Sequence, residues 1–290
     1  MNSFANAANQ FGLKINVTKT ELLQQSAPDI EPCAILVNGE PLRNCESFTY
    51  LGSSVTSTNS SDHEVERRIQ AASKSFGALQ KRLWSRHDIQ RTTKVKVYNA
   101  AVLPTLLYST ECMTLYRKHI RKLTRVQLRH LRLILGIKWQ DRVPDVEVLK
   151  RAKCVSVEAL ICTSQLRWAG HVWRMSDDRL PKVVLYGELR EGKRKSGGQK
   201  LRFKDVLKRS MKNSGINHTT WEAQALDRPK WRSSLKKAIT AVEEKRQRDY
   251  IKAHERRHSV ATQSDFICQK CQRPCRSRAG LMAHLRACSK

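Results

Sequence analysis

Apolar residues recur at helical spacing along most of the chain after residue 62, and at strand spacing before it. The first helical stripe falls three and four residues apart and predicts one buried helix side: Ile69, Ala72, Phe76, Leu79 and Leu83. A second helix is predicted from Thr92 or Thr93 to about Tyr108, with a kink at Pro104.

The third predicted helix, over 117–135, has an apolar side and an opposite basic side. Its basic face is spaced four, three, four and three residues apart: Lys118, Lys122, Arg125, Arg129 and Arg132. A charged helix face is often only a solvated surface. No acidic residue lies between Lys118 and Gln140 to offset this charge within the helix, which favours contact with phosphates.

Shorter elements are predicted before residue 62, and two more helices follow the basic one. Gly12 ends an N-terminal helix, and three strands follow it: Leu13–Val17, Ala34–Val37 and Phe48–Gly52. Further along, Ser156 is expected to cap one helix, and a highly charged helix should run from Trp231 to about His258.

The charge of the chain says more about its partner than its overall composition does. The 290 residues include 55 Lys and Arg against 26 Asp and Glu, a formal net charge of +29. Residues 1–70 have a net charge of −3, so residues 71–290 have +32. Such an excess indicates a polyanionic partner, either nucleic acid or an acidic membrane surface, rather than a small-molecule substrate.

Several classes of protein are excluded. No apolar run approaches the ~20 residues of a membrane-spanning helix, and no secretory signal opens the chain. Nine cysteines, an odd number without an export signal, favour free thiols or a metal site over disulfides. We therefore expect a reduced intracellular protein, nuclear or cytoplasmic, that does not bind membranes.

The C-terminal tail contains the pattern Cys-x2-Cys-x12-His-x3-Cys, formed by Cys268, Cys271, His284 and Cys288. Thiolates and imidazole are the ligands that tetrahedral zinc prefers, so the tail predicts one Zn²⁺ in a ββα finger. Phe266 and Leu281 occupy the usual core positions, and Cys275 is expected in the core rather than on the metal. So small a unit needs zinc to fold.

The finger is predicted to bind phosphates without reading sequence. Its three usual base-reading positions hold only small side chains: Ser277, Gly280 and Ala283. None has the amide or guanidinium group that reads a base edge. Four arginines remain for phosphate contact: Arg273, Arg276, Arg278 and Arg286.

A basic, glycine-rich loop over 190–200 contains Lys193, Arg194 and Lys195. It is either a localisation signal or a phosphate-contacting loop, and the sequence does not separate these. Two adjacent carboxylate pairs are poorly placed for two-metal catalysis, because neither follows an apolar strand. Asp177-Asp178 lies in a predicted turn, and Glu243-Glu244 lies within a charged helix.

Four stretches resemble the reverse transcriptase of LINE-type, non-long-terminal-repeat retrotransposons, RTE-like or related. Phe11–Glu21 resembles the end of the palm, and Phe48–Ser53 the primer grip. The helices over 62–135 resemble the thumb, and Leu166–Met175 with Arg179–Lys182 the region after it. In that family the catalytic aspartates precede the matching segment. The resemblance therefore implies that this chain does not polymerise DNA.

The expected fold is mainly α, with a small N-terminal α/β remnant of a palm and a terminal ββα zinc finger. The expected organisation is a palm remnant and primer grip (1–60), a thumb (61–140), a basic helical region (141–258), a linker (259–265) and the finger (266–290). The favoured function is non-catalytic binding of RNA or DNA. The alternative is a host-expressed zinc-finger regulatory protein derived from such an element.

Overall fold

Helices form most of the chain, which confirms the predicted mainly α fold class. The computed structural model describes residues 2–24, 34–37, 39–58, 60–188, 197, 200–262, 266–275 and 277–288. The helices are α1 (Asn2–Gln10), α2 (Asp62–Ala78), α3 (Arg91–Val97), α4 (Leu103–Leu107), α5 (Arg117–Leu135), α6 (Asp145–Ala152), α7 (Val157–Trp173), α8 (Leu180–Tyr186), α9 (Phe203–Ser214), α10 (Trp221–Leu226), α11 (Arg228–Thr262) and α12 (Arg278–Ala287).

Strands are short and pair two by two. They are β1 (Glu21–Leu22), β2 (Leu36–Val37), β3 (Glu40–Pro41), β4 (Arg43–Asn44), β5 (Ser47–Tyr50), β6 (Ser53–Thr56), β7 (Phe266–Ile267) and β8 (Pro274–Cys275). β1 pairs with β4 in parallel, and the other three pairs are antiparallel neighbours in the chain. Backbone contacts divide the chain into two units, residues 1–141 with 183–206, and residues 142–182 with 207–290.

The N-terminal segment follows its predicted pattern only in part. α1 is followed by Gly12 in the left-handed conformation, with φ of 69°, as expected of a helix end. The predicted strand over Leu13–Val17 is wrong, because Val17–Lys19 form a 3₁₀ turn. Asn16 caps that turn by accepting a hydrogen bond from the Lys19 amide at 3.1 Å. A polar segment with no strand beside it satisfies its amides locally instead.

The β5–β6 hairpin is anchored to the helices through its turn. Leu51 and Gly52 both have positive φ, 46° and 76°, as a tight two-residue hairpin requires. Arg67 and Arg68 donate hydrogen bonds to the Gly52 carbonyl, and the Tyr108 hydroxyl donates to the Leu51 carbonyl at 3.0 Å. The two segments that resemble primer grip and thumb are therefore in direct contact.

Stacked rings form the core between α2 and α5. The ring of Phe76 lies between those of Trp84 and His130, with centroid distances of 4.8 and 4.1 Å and nearly parallel planes. Tyr98 packs edge-on against both Phe76 and His130. All four side chains are buried, so the stack excludes water from the centre of the unit.

The helix predicted over 92–108 is observed over 91–107, as α3, a π-helical turn and α4 in succession. A single π-helical turn over Tyr98–Val102 separates α3 from α4, and Pro104 lies in the first turn of α4. Proline is tolerated there because the first amides of a helix have no intrahelical partner. Nearby, the buried ammonium of Lys94 donates a hydrogen bond to the Trp84 carbonyl at 2.9 Å, which ties α3 to the aromatic core.

In the second unit, α7 packs along α11. Ser156 caps α7 as predicted, since its hydroxyl accepts a hydrogen bond from the Ala159 amide at 3.3 Å. The Ser156 amide in turn donates to Glu243 of α11 at 2.7 Å. Gly170 lies against Trp231, where an added Cβ would be 2.3 Å from the indole nitrogen, so this close helix contact requires glycine.

α11 is longer than the patterning predicts. It runs over Arg228–Thr262 rather than ending near His258, and so includes the first residues of the expected linker 259–265. Residues 263–265 lie outside the described part of the chain. At about 1.5 Å per residue, a helix of 35 residues is about 52 Å long.

The buried His130 generates a pH prediction. Burial, aided by the charge of Arg129, lowers the pKa of His130 from 6.5 to about 4. The unfolded chain therefore takes up this proton at higher pH than the folded chain. The neutral ring therefore makes its full contribution to the free energy of unfolding above about pH 6.5. That contribution, about 3 kcal/mol, is lost as the pH falls towards 4.

We expect His130→Phe to keep the stacking and to reduce the loss of unfolding free energy between pH 6.5 and 4. Urea unfolding at several pH values measures the difference. His87→Phe, at an exposed histidine, is the matched control. Equal pH dependence in the wild type and His130→Phe would contradict the assignment.

Candidate metal centre and nucleic-acid interface

The C-terminal segment folds as a small hairpin followed by one helix. β7 and β8 pair with Phe266 opposite Cys275, and α12 begins after Ser277. The Ser277 hydroxyl accepts a hydrogen bond from the Gly280 amide at 3.1 Å, which fixes the start of α12. This is the ββα arrangement that the ligand spacing predicts.

The hairpin and the helix bring the four predicted ligands together. The ligand atoms of Cys268, Cys271, His284 and Cys288 all lie within 4.8 Å of one another. The Cys271 sulfur is 3.1 Å from Nε2 of His284. Ligands of a tetrahedral zinc ion lie about 3.3–3.8 Å apart, given metal–ligand bonds of about 2.0–2.3 Å. The cluster is therefore of the size and chemistry that Zn²⁺ requires.

Backbone amides favour the thiolate form at the first ligand. A hydrogen bond from the Cys271 amide, with a further one from Lys270, lowers the pKa of Cys268 to about 6 despite its desolvation. Amides directed at sulfur hold a metal-binding thiolate in place. If a metal is bound, these four residues would hold it as a structural ion, because all four tetrahedral positions are filled by protein.

Cys275 is buried, as expected of a core position, and is not part of the ligand cluster. The remaining core of the finger is small, since Phe266 is 36% exposed and Leu281 is only half-buried. The three base-reading positions lie at the start and on one side of α12. The hydroxyl of Ser277 is already engaged in capping the helix.

The predicted basic face lies on the solvent side of α5, but its first two lysines have acidic partners on α2. Lys118 Nζ is 2.7 Å from Asp62, and Lys122 forms an ion pair with Glu66. These acids are 56 residues away in sequence, which is why the local pattern did not reveal them. Exposed ion pairs contribute little stability, so a phosphate can replace Asp62 or Glu66 as the partner of either lysine.

Asp62 is the centre of the first of these contacts. It accepts hydrogen bonds from Lys118, Ser60 and His119, and together they hold the pKa of the Asp62 carboxyl well below its usual range. His119 is buried and also accepts a hydrogen bond from the Tyr116 amide at 3.2 Å, at the start of α5. Lys118 therefore helps to join α2 to α5 as well as being exposed to solvent.

A second row of basic residues on α5 was not singled out by the sequence analysis. Arginines four residues apart are all exposed and form no ion pair with any described acidic residue: Arg117, Arg121, Arg125 and Arg129. We call these four residues the arginine row. Their regular spacing was the available signal. Arg125 and Arg129 belong to both sets, and Arg132 of the predicted face is half-buried.

The remaining predicted contacts are dispersed. Arg273, Arg278 and Arg286 are exposed on the finger. Arg276 lies outside the described residues, as do Lys193, Arg194 and Lys195 of the basic loop.

The motif Leu166–Met175 has a structural role in the second unit. Lys182 lies 4.6 Å from the centre of the Trp173 ring and donates a hydrogen bond to the Met175 carbonyl at 2.9 Å. It also pairs with Asp177 at 2.7 Å, on an exposed turn. The cation–π contact and the hydrogen bond hold Lys182 against the end of the first stretch.

The chain is similar in sequence to two curated polymerases, each described as RNA-directed DNA polymerase from mobile element jockey. The one from Drosophila melanogaster is 22% identical over 148 residues, and the one from Drosophila funebris 26% identical over 147 residues. About half of this chain is related to retrotransposon reverse transcriptases.

The match covers 51% and 49% of this chain but only 16% and 15% of the two polymerases. No protein-family model and no solved structure matches the chain. Among the helices that the structure describes, none has the length and apolar character needed to cross a bilayer.

Metal removal provides a test of the cluster. We expect the full chain to bind one zinc ion and Cys268→Ser to lose it, because three ligands do not complete the tetrahedron. Cys275→Ser, a buried cysteine outside the cluster, should retain the ion. Elemental analysis of the dialysed proteins measures the zinc content. Zinc retained by Cys268→Ser, or lost from Cys275→Ser, would show that the ligand set is wrong.

Proposed function

We propose that this chain is a non-catalytic nucleic-acid-binding segment of a LINE-type retrotransposon reverse transcriptase, RTE-like or related. It contacts template–primer or element RNA, mainly through phosphates. The observation that supports this most is the arginine row on α5, since the relationship to the jockey polymerases covers only part of the chain.

The geometry of the arginine row suits a phosphate backbone. Residues four apart on a helix are about 6 Å apart along its axis and point to the same side. A row of guanidinium groups can therefore follow successive phosphates, and each can form two parallel hydrogen bonds. The acids that neutralise neighbouring lysines are on α2 and do not pair with these arginines.

The finger adds a second contact of the same kind. Zinc would hold α12 against the hairpin, and the exposed arginines Arg273, Arg278 and Arg286 would contact phosphates. Ser277, Gly280 and Ala283 offer no group for reading a base pair through two hydrogen bonds. The expected binding is therefore of low sequence preference.

The carboxylates that sequence analysis considered for catalysis have structural contacts instead. Asp177 pairs with Lys182 on an exposed turn. Glu243 accepts hydrogen bonds from the Ser156 amide and from Arg246, at 2.7 and 3.0 Å. We therefore propose that the chain does not synthesise DNA by itself and takes no small-molecule substrate. We place it inside the cell, in the nucleus or the cytoplasm, and away from membranes.

Salt dependence tests the binding proposal. We expect the full chain to bind a labelled 20-nucleotide single strand with an affinity that falls steeply between 50 and 300 mM salt, measured by fluorescence anisotropy. Each phosphate contact contributes about 0.7 to the slope of log affinity against log salt. Replacing Arg121, Arg125 and Arg129 by alanine should therefore reduce the slope by about 2.

The matched control removes the same charge elsewhere, by alanine at Lys74, Lys81 and Arg82, which are exposed outside α5. Binding that does not vary with salt would contradict the proposed function. An equal loss of slope in both triple variants would mean that net charge, rather than the arginine row, attracts the strand.

Primer extension tests the absence of catalysis. We expect no template-dependent product from the full chain with Mg²⁺ or Mn²⁺ on a primed RNA or DNA template, because the paired carboxylates have structural roles. An active reverse transcriptase in the same buffer is the control. Any product that depends on the template would contradict the proposal.

A further inference from the structure

Trp139 differs from every other tryptophan in the chain. Its side chain is 83% exposed, whereas the other five are buried or half-buried: Trp84, Trp168, Trp173, Trp221 and Trp231. Tryptophan has the largest side chain, and exposing nearly all of it to water forgoes the burial that the other five achieve. An indole ring with this exposure can stack against a planar ring of a ligand.

The backbone holds this indole on an ordered turn. α5 ends at Gly136, in the left-handed conformation with φ of 70°, and the Ile137 amide donates to the Arg132 carbonyl at 2.9 Å. Trp139–Asp141 then form a 3₁₀ turn. The Lys138 amide donates to the Asp141 carboxylate at 2.8 Å, and the Asp141 amide donates to the Lys138 carbonyl at 3.2 Å.

The turn contains one basic and one acidic residue, Lys138 and Asp141, so the positive charge near it comes mainly from α5. Trp139 is three residues beyond Gly136, and three extended residues span at most about 11 Å. Lys138, which is exposed, directly precedes Trp139. Arg129 is also exposed and lies seven residues before Gly136, about 10 Å along the helix axis, and Arg125 is one helical turn before it. The Cα atoms of Arg129 and Trp139 are therefore at most about 22 Å apart. The indole thus lies on the turn after the helix that bears the arginine row, where a strand bound along that row would continue.

We propose that Trp139 is a base-stacking site for single-stranded nucleic acid, RNA or DNA, on the turn that follows the arginine row of α5. This inference rests on the proposed function and deepens it. In a duplex, neighbouring bases already cover both faces of each base, and an indole gains little from it. An unpaired base has a free face, which stacks on an aromatic ring without regard to sequence.

Two substitutions separate stacking from charge. We expect Trp139→Ala to weaken binding of the full chain to a 20-nucleotide single strand about tenfold, and to change binding to a 20-base-pair duplex less than twofold. Trp139→Phe, which retains a ring, should keep most of the single-strand affinity. Phe11→Ala removes an aromatic side chain that is 82% exposed but far from α5 in sequence, and it should change neither affinity.

An abasic single strand of the same length provides the sharpest control, because it has the phosphates without the bases. The wild type should bind it about tenfold more weakly than the normal strand, and Trp139→Ala should show no further loss. Because the other five tryptophans are buried or half-buried, single strands should quench the wild-type tryptophan fluorescence mainly through Trp139, and this quenching should be strongly reduced in Trp139→Phe.

The failures of the two proposals are distinguishable. If the wild type binds no nucleic acid, the proposed function itself fails. The stacking site is overturned if nucleic acid binds but Trp139→Ala leaves single-strand affinity unchanged, or lowers single-strand and duplex affinity equally. Circular dichroism and thermal unfolding confirm that the variants fold. Should Trp139→Ala unfold, Trp139→Phe and the quenching measurement decide the matter, and unchanged quenching in Trp139→Phe overturns the site.

Discussion

The stacking of Phe76 between Trp84 and His130 determines how the first unit presents its charge. His130 belongs to the buried side of α5, so its contact with α2 directs the opposite side of α5 towards solvent. Because helical positions repeat every 3.6 residues, fixing one buried ring fixes the orientation of every arginine along the helix. A shift in this stack would therefore rotate the basic surface as a whole. The contact that stabilises the first unit therefore also sets the direction of the basic surface that we propose binds nucleic acid.

The two ends of the chain use different sources of stability. The helical parts bury aromatic and aliphatic side chains, and close helix packing extends to the contact between Gly170 and Trp231. The finger has few buried residues, and four ligand atoms within 4.8 Å of one another take the place of a core. For a protein built in this way we expect two independent responses, to acidity through His130 in the helical core and to metal supply through the finger.

Local patterns predicted the elements whose determinants are local. The bounds of α5 follow from spacing and the cap at Ser156 from cap preference, and the structure has both as expected. The spacing of Cys268, Cys271, His284 and Cys288 also predicts that these side chains lie together, as they do. The strand over Leu13–Val17 failed because a strand depends on a neighbour, which the sequence does not specify. The ion pair of Lys118 with Asp62 and the exposure of Trp139 also depend on tertiary packing. The sequence therefore indicated which residues are charged, but not which of them are already paired with acids elsewhere in the fold.

Because two lysines of α5 are already paired with acids of α2, the net charge of +29 overstates the charge that is free to attract a polyanion. When a free arginine contacts a phosphate, the nucleic acid releases a counterion to the solution. Lys118 and Lys122 must leave Asp62 and Glu66 to contact a phosphate, so for these two lysines the new contact replaces an existing ion pair. If the chain binds nucleic acid as proposed, we expect the arginine row, rather than the total of basic residues, to contribute most to the salt dependence.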